Sequence, residues 1–427
     1  MITHRPAIRS LVGLKQDAKE KPGVCLISGK PDAIARLNNS IEGIYDKPGS
    51  PARKYLVSFQ KNMGFDSYGK EQGTNAPVGK RAAFAYTTAL NYLLTSKQRI
   101  QVGDASTVFW AAADSRMESL LAQFFNEPPE DNPDQGANAV KELLEAPLAG
   151  TPAIYDDGTR FHLLGLAPNA ARIAVRFWHV ATVGALAGHI RQHFEDLKIV
   201  RPPYVERSFL SLKALLLSVS PLGDLDKLPP KLAGDFMKAI LDGTPYPQTL
   251  LQATLRRIHA EQAKKDKKTG KHKEHVTYAR ASLIKAWLNR QTRMTNPNQE
   301  TEITMALDES NTNIGYRLGR LFAVLEKIQE DVSPGLNTTI RDSYFGSASS
   351  TPTAVLPTLM RRSQNHLTKL RKEKPGLYVT RNKQIQEIHG DGVDGRIGYP
   401  PILSLPDQGR FVIGYYQQRQ EFFKPKT

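Results

Sequence analysis

The sequence predicts an α+β chain: a mixed α/β N-terminal half followed by an all-helical C-terminal bundle. Short β-type runs set between Gly-, Pro- and Asn-rich turns occur only in the first half. From about residue 206 onward, apolar residues recur at helical spacing and strand signals stop. With 427 residues, 40% hydrophobic and 23% charged, the chain is long enough for two or three domains and a sizeable core.

Taken in order, CLIS at 25–28 and YLVSF at 55–59 predict short strands. A helix is expected from Val78 to about Ser96, because Ala82, Tyr86, Leu90, Leu93 and Leu94 recur at helical spacing. STVFWAAA at 106–113 reads as a buried strand. NEPPEDNPDQGAN at 126–138 is acidic, Pro-rich and poor in apolar residues, which predicts a mobile linker. RFHLLGLA and ARIAVRFWHV then read as a strand pair joined by PNA. Alternation in the second strand puts Ile173, Val175 and Phe177 on one face, and Arg172, Ala174, Arg176 and Trp178 on the other. The helix TVGALAGHIRQHFEDL follows. Further helices are expected at 207–218, 231–242, 248–265, 277–291, 313–331, 352–373 and 408–422. The lysine-rich stretch KDKKTGKHKEH at 265–275 reads as a solvated loop, poorly ordered alone. No tandem repeat is visible. These elements group into a mixed α/β domain at 1–205, a helical segment at 206–304 with a basic loop at 264–275, and a C-terminal helical bundle at 305–427.

Charge narrows the function classes. Lys plus Arg total 58 against 42 Asp plus Glu, a formal +16, and the pI is near 9.7. Clustered basic residues favour a polyanionic partner, usually nucleic acid; an evenly spread solubility charge is the alternative. Cys25 is the only cysteine, so no internal disulfide and no Cys-based zinc site can form. It reads as a small buried hydrophobe in a reducing, cytoplasmic setting. No apolar stretch approaches the roughly 18–20 residues of a membrane helix, and MITHRPAIRS shows no apolar signal core.

Several constellations could carry chemistry. The helix at 313–331 is expected to bury Ile314, Leu318, Leu321, Phe322, Leu325 and Ile328, with Arg320 and Lys327 opposite and Arg317 at the border. Pro334-Gly335 stops it. The helix at 352–373 turns Val355, Leu359, Leu367 and Leu370 inward. Arg361, Arg362, Lys369, Arg371 and Lys372 give it a cationic side, with few acidic residues for i,i+4 neutralisation before Glu373. A surface facing a polyanion is one reading; an ordinary solvated bundle surface is the other. The loop SYGKEQGTNAP at 67–77 offers Lys70, Gln72, Asn75 and two glycines, followed by Lys80. Backbone amides in such loops can meet phosphates, and Gln or Asn can read base edges. It is no Walker A loop, and a ligand-free turn accounts for it equally well. Arg172 and Arg176 on the strand, and Lys264, Lys265, Lys267 and Lys268 on the basic loop, complete the candidate set.

His189 and His193 are i,i+4 on a predicted helix, with Glu195 and Asp196 close behind. That spacing suits a metal, but Ile190 stands where the HExxH motif has glutamate, and no third ligand can be assigned. Helix-surface histidines are the better reading. With no phosphohydrolase dyad, helicase box or Ser-His-Asp order, neither enzymatic activity nor a cofactor is expected.

One run stands apart: GYRLGRLFAVLEKIQEDVSPGLNTTIRDSYFGSASSTPTAVLPTLMRRSQNHLTKL, from Gly315 to Leu370. It reads as an amphipathic helix, a Pro-Gly break, a Gly/Ser-rich turn and a second, basic helix. It resembles the C-terminal region of the large subunit of the type I-C CRISPR surveillance complex (Cascade). The resemblance extends to SYGKEQGTNAPV at 67–78, AFAYTTALNYLL at 83–94, LGLAPNAARIAVRFW at 164–178 and GYYQQRQEFF at 414–423.

The resemblance implies a non-catalytic, nucleic-acid-binding subunit. Its implied partners are crRNA, the target DNA as duplex and displaced single strand, the backbone and small subunits, and a helicase-nuclease recruited in trans. Target binding, R-loop stabilisation and helicase-nuclease recruitment are the implied tasks, with no membrane role. Guide pairing reads the sequence in such complexes, so cationic grooves with few base contacts suffice. Family members usually carry a front region that this chain is expected to lack, since HRPAIRSL at 4–11 resembles an internal stretch of full-length members. The family also makes a small subunit by internal initiation. Met305 lies where such a start would fall, which makes 305–427 small-subunit-like; a plain loop methionine is the alternative. Two other classes stay open: a structural scaffold without nucleic-acid contact, and a metal-dependent nuclease built around His189.

Overall fold

The computed structural model describes residues 22–45, 53–64, 68–132, 134–145, 158–206, 208–229, 231–266, 270, 272–295, 301–336, 338–390 and 398–424. These pack into two compact units, one within Met1–Ala112 and Phe161–Val180, the other within Ala113–Arg160 and Ala181–Thr427. The α+β arrangement is as expected: among the described residues, the named strands lie in the N-terminal half and the named elements of the C-terminal half are helices. The unit boundaries differ from the expected 205 and 304, because residues 206–304 and 305–427 share one core.

The first unit opens with an antiparallel pair, β1 (Pro22–Val24) and β2 (Pro31–Ala33). The strand expected at 25–28 is instead their connection. The Cys25 N–H donates to the Lys30 carbonyl at 3.0 Å, and Gly29 turns the chain at φ 68°. Cys25 itself is buried. The strand expected at 55–59 shrinks to isolated bridges, Lys54 with Ile41 and Tyr55 with Arg172. Helix α1 (Lys80–Thr95) forms as its spacing predicts.

A four-stranded sheet follows: β3 (Arg99–Val102), β4 (Ala105–Ala111), β5 (Arg160–Asn169) and β6 (Arg172–Thr182), in that spatial order. Helix α1 lays Leu90 and Leu94 over Val108, Leu164, Leu166 and Ile173, and Ile41 and Ile44 close the cluster. Full burial of a large apolar side chain contributes about 1.5–3 kcal/mol, so this cluster holds the unit together.

Strand β6 departs from simple alternation. Ile173 lies in the cluster with Leu164 and Leu166, whereas Phe177 fills the space beside Gly165, on the opposite face of β5. Residues four apart should share a face, so the alternation slips by one between them, as at a β-bulge. Val175 is accordingly exposed rather than aligned with Ile173 and Phe177. The slip also separates the two arginines expected on one face: Arg172 falls opposite Ile173, and Arg176 opposite Phe177.

The second unit begins with α2 (Met117–Phe125) and α3 (Gln135–Glu145). The expected linker at 126–138 is irregular only before α3, whose Ala139 and Leu143 form a short buried stripe behind the Pro-rich stretch. Helices α4 (Val183–Leu197), α5 (Leu212–Val219), α6 (Leu232–Asp242), α7 (Gln248–Glu261) and α8 (Tyr278–Thr295) follow. The Thr182 and Ser211 hydroxyls accept from the Ala185 and Ala214 N–H groups, capping α4 and α5. Helix α8 is buried on all sides, packing on α4, α5 and α7.

Helices α9 (Ile314–Val332), α10 (Ile340–Ser350), α11 (Pro352–Glu373), α12 (Pro375–Gly390) and α13 (Leu405–Glu421) complete the unit. Two of these were not expected. Helix α10 replaces the Gly/Ser-rich turn; Thr339 and Asp342 form a capping box that starts it. Helix α12 starts at a proline, which suits the first helical position. Helices α9 and α13 touch backbone to backbone. A Cβ added to Gly319 would stand 2.0 Å from the Phe411 carbonyl oxygen, and one added to Gly414 would stand 2.1 Å from that of Tyr316.

Candidate nucleic-acid interface

Helix α11 carries an open cationic face. Val355, Leu356, Leu359, Ser363, Leu367 and Leu370 form its buried stripe. Arg361 and Lys372 project from the side opposite that stripe, Arg362 and Lys369 flank it on one edge, and Arg371 flanks it on the other; all five are exposed. Arg362 donates to the Tyr344 hydroxyl at 3.1 Å, and Lys369 lies 3.9 Å from Glu373. Arg361, Arg371 and Lys372 have no ion-pair partner among the described residues. Such a row can neutralise successive phosphates without reading bases.

The loop before α1 is more self-contained. Gln72–Asn75 form a 3-10 turn, and Gln72 takes a left-handed φ of 44°. Gly73 sits against the preceding chain, with its N–H 2.9 Å from the Arg36 carbonyl. The Gln72 side-chain oxygen accepts from the Arg36 guanidinium. The Asn75 amide donates to the carbonyls of Gln72 (3.0 Å) and Lys70 (3.3 Å). Both amides are thus engaged in holding the loop, while Lys70 and Lys80 remain exposed.

Arg172 and Arg176 are exposed on β6, and Arg176 pairs with Asp104. On the basic loop, Lys264 pairs with Glu261 at 2.9 Å, and Lys265 forms an isolated antiparallel bridge with His272. Lys267 and Lys268 lie outside the described residues.

Arg317 and Arg320 do not belong to a surface. Helix α9 is buried almost all round rather than on one stripe, and the two arginines are only 5% and 4% exposed. Arg317 Nε donates to the Asn311 carbonyl at 3.0 Å. Arg320 donates to the Gln418 side chain (3.1 Å) and the Glu309 carbonyl (3.1 Å). Arg280, Lys285 and Arg290 on α8 are likewise interior. They serve the Ser218, His275, Asp196, Ala239 and Thr244 carbonyls and the Glu261 and Asp196 carboxylates. Part of the cationic excess therefore binds the fold to itself, because a buried cation needs acceptors on every side.

The histidines of α4 also turn inward. His189 Nδ1 lies 2.6 Å from the Leu241 carbonyl. His193 is buried with Nδ1 2.5 Å from the Tyr246 hydroxyl, correcting the surface placement expected for it. Burial, reinforced by the Arg290 charge, holds its pKa down at about 3. Asp196, close behind these histidines in the chain, is likewise only 3% exposed and is paired with Arg290 and Arg293. Among the described residues, no three His, Cys, Asp or Glu side chains gather in a way that could hold a metal ion. No described helix is long and apolar enough to cross a membrane.

A model of the family described as CRISPR-associated protein (Cas_Csd1) matches residues 1–423. The chain belongs to this family. No curated protein matches it. As a Cas_Csd1 member it is a CRISPR-associated component of Cascade, which operates with crRNA and other Cas subunits. Within the Cas_Csd1 chain, the expected cations divide: Lys70, Lys80, Arg172 and Arg176 sit in the first unit, while Lys264, Lys265, Arg361, Arg362, Lys369 and Arg371 sit in the second. Sequence reading passed over the buried ion clusters around Asp196, Glu261 and Glu326. The partners of Asp196 (Arg290, Arg293), Arg280 at Glu261, and Arg341 and Arg419 at Glu326 are distant in the chain, so no local spacing announces them.

Proposed function

We propose that this chain is the non-catalytic, nucleic-acid-binding large subunit of a crRNA-guided DNA surveillance complex. In this reading it helps bind target DNA, stabilises the displaced strand beside the R-loop, and offers a surface to a helicase-nuclease acting in trans, in the cytoplasm. Met305–Thr427 corresponds to a small-subunit-like portion. The observation that carries the reading is the exposed row on α11, where Arg361, Arg371 and Lys372 lack ion-pair partners among the described residues. The interior arginines of this fold are met by protein acceptors, whereas this row along one helix stays open to an external anion.

The deciding experiment is co-purification with the other Cas subunits, followed by nuclease treatment and sequencing of the bound RNA. Recovery of repeat-derived guide RNA, together with DNA binding by the purified chain at low salt, is the expected result. Undetectable nucleic-acid binding at low salt would replace this reading with a scaffold role. Cleavage of labelled DNA in Mg²⁺, Mn²⁺ or Zn²⁺, lost on His189→Ala, would replace it with a nuclease.

A further inference from the structure

We propose that Trp110, His162 and Trp178 form a stacking platform for the unpaired bases of single-stranded nucleic acid. This rests on the nucleic-acid-binding reading above and names where the first unit meets a strand. Trp110 and His162 are cross-strand partners on β4 and β5. Their rings stack at 5.2 Å with 15° between planes. Trp178 on β6 joins them at 5.6 Å from Trp110 and 5.8 Å from His162, tilted by 55° and 40°.

The bulge in β6 builds this arrangement. Without the slip, Trp178 would lie on the face opposite Ile173 and away from Trp110. With it, Trp178 and Arg176 come to the same face as the Trp110–His162 pair. Trp178 remains 52% exposed, and its tilt leaves ring surface uncovered by either neighbour. This exposed indole, grouped with two further rings, offers apolar ring surface to an external partner.

Charge selects the partner. The described residues of this unit carry twelve Lys and Arg against four Asp and Glu. An exposed aromatic cluster on a cationic unit suits a polyanion with planar groups. Duplex bases are already stacked on one another, so unpaired bases are the fit. Further exposed aromatics on the unit, Tyr92 at 68% and Tyr68 at 92%, extend the same chemistry.

The test uses the full chain with labelled oligothymidine and a duplex of equal length, comparing wild type, Trp178→Ala and Trp178→Phe. Loss of one stacked base should weaken single-strand binding by about 5- to 150-fold in Trp178→Ala. Duplex binding should stay within about twofold, and Trp178→Phe should recover most of the affinity. Because Trp287 is buried, quenching of the native tryptophan emission by oligothymidine should report Trp110 and Trp178. That readout decides the matter even if Trp178→Ala folds poorly. Unchanged single-strand affinity in a folded Trp178→Ala, or unquenched native emission on binding, overturns the platform and leaves the charge-driven reading standing. Loss of a bound Cas subunit with unchanged strand binding overturns it in favour of a protein-docking face. Failure of the wild type to bind either nucleic acid at low salt overturns both.

Discussion

Gly319 of α9 lies directly against the carbonyl of Phe411 in α13, so close that a methyl group there would meet the oxygen at 2.0 Å. The obstacle is backbone within a packed helix, which cannot swing aside as a side chain can. Gly319→Ala should therefore destabilise the chain by about 1–3 kcal/mol or more, despite the better helix propensity of alanine. Gly414→Ala, at 2.1 Å from the Tyr316 carbonyl oxygen, should act likewise. Because both force the same helix pair apart, the double variant should cost less than the sum. Denaturant midpoints followed by far-ultraviolet circular dichroism check this, and wild-type midpoints would reject the close crossing.

The arginines of α11 and α9 should behave oppositely. Arg361→Glu with Arg362→Glu alters exposed groups, and folding should change by no more than about 0.5 kcal/mol per site. Binding of an unpaired DNA strand should weaken, and its salt dependence should become shallower by roughly 0.7 for each phosphate left without its cation. Arg320→Glu places a carboxylate beside the Gln418 side-chain oxygen and the Glu309 carbonyl, and should cost about 3–5 kcal/mol. Strand-binding titrations at several salt concentrations, paired with melting curves, separate the two effects. A flat salt dependence in the wild type would remove the assignment of these arginines to phosphates.

His193 gives the fold an acid-sensitive element. Its folded pKa, held at about 3 by burial and by Arg290, lies below the roughly 6.5 of an unfolded histidine. Between those values the unfolded chain binds a proton that the folded chain refuses. The contribution is complete above about pH 6.5 and is lost as the pH falls toward about 3, at up to about 1.4 kcal/mol per pH unit. His193→Gln should be less stable at pH 7 yet show a shallower decline through this window. Equal slopes in the two proteins, measured by denaturant unfolding at each pH, would assign the acid sensitivity elsewhere.

The C-terminal bundle should need α7 and α8. Gly409 of α13 packs against Leu251, Ile284 and Leu288, and Phe345 of α10 meets the His275 ring edge-on at 4.4 Å. Gln262 also donates to the Asp342 carbonyl at 3.0 Å. A fragment starting at Met305 loses these partners, and each large apolar side chain it uncovers costs about 1.5–3 kcal/mol. A fragment starting at Gln248 should melt cooperatively, and the shorter one at a lower temperature or without a cooperative transition. Equal melting of both would instead show 305–427 to be a self-sufficient domain.

Local signals were legible from the residues alone. Helix α1, the β5–β6 pair, α4 and most of the later helices follow from apolar spacing and turn residues, as does the inward stripe of α11. Helix α10 was missed because its start depends on a Thr339–Asp342 cap rather than on an apolar stripe. Helix α12 was missed because few of its residues are apolar and buried. The cationic side of α11 was also readable, since a continuous helix with one buried stripe leaves its other faces to solvent.

Periodicity along one segment says which residues share a face, but nothing about how many neighbours cover that segment. Helix α9 reads as amphipathic, yet neighbouring helices surround it and turn Arg317 and Arg320 into internal donors. His193 and Asp196 look like a helix surface until Tyr246, Arg290 and Arg293 arrive from up to 97 residues away. The one-residue slip in β6 moves Trp178 beside Trp110 and His162, and it depends on Phe177 finding the space left by Gly165. Each of these outcomes is set by packing between distant segments, whose desolvation and dispersion energies have no trace in local spacing.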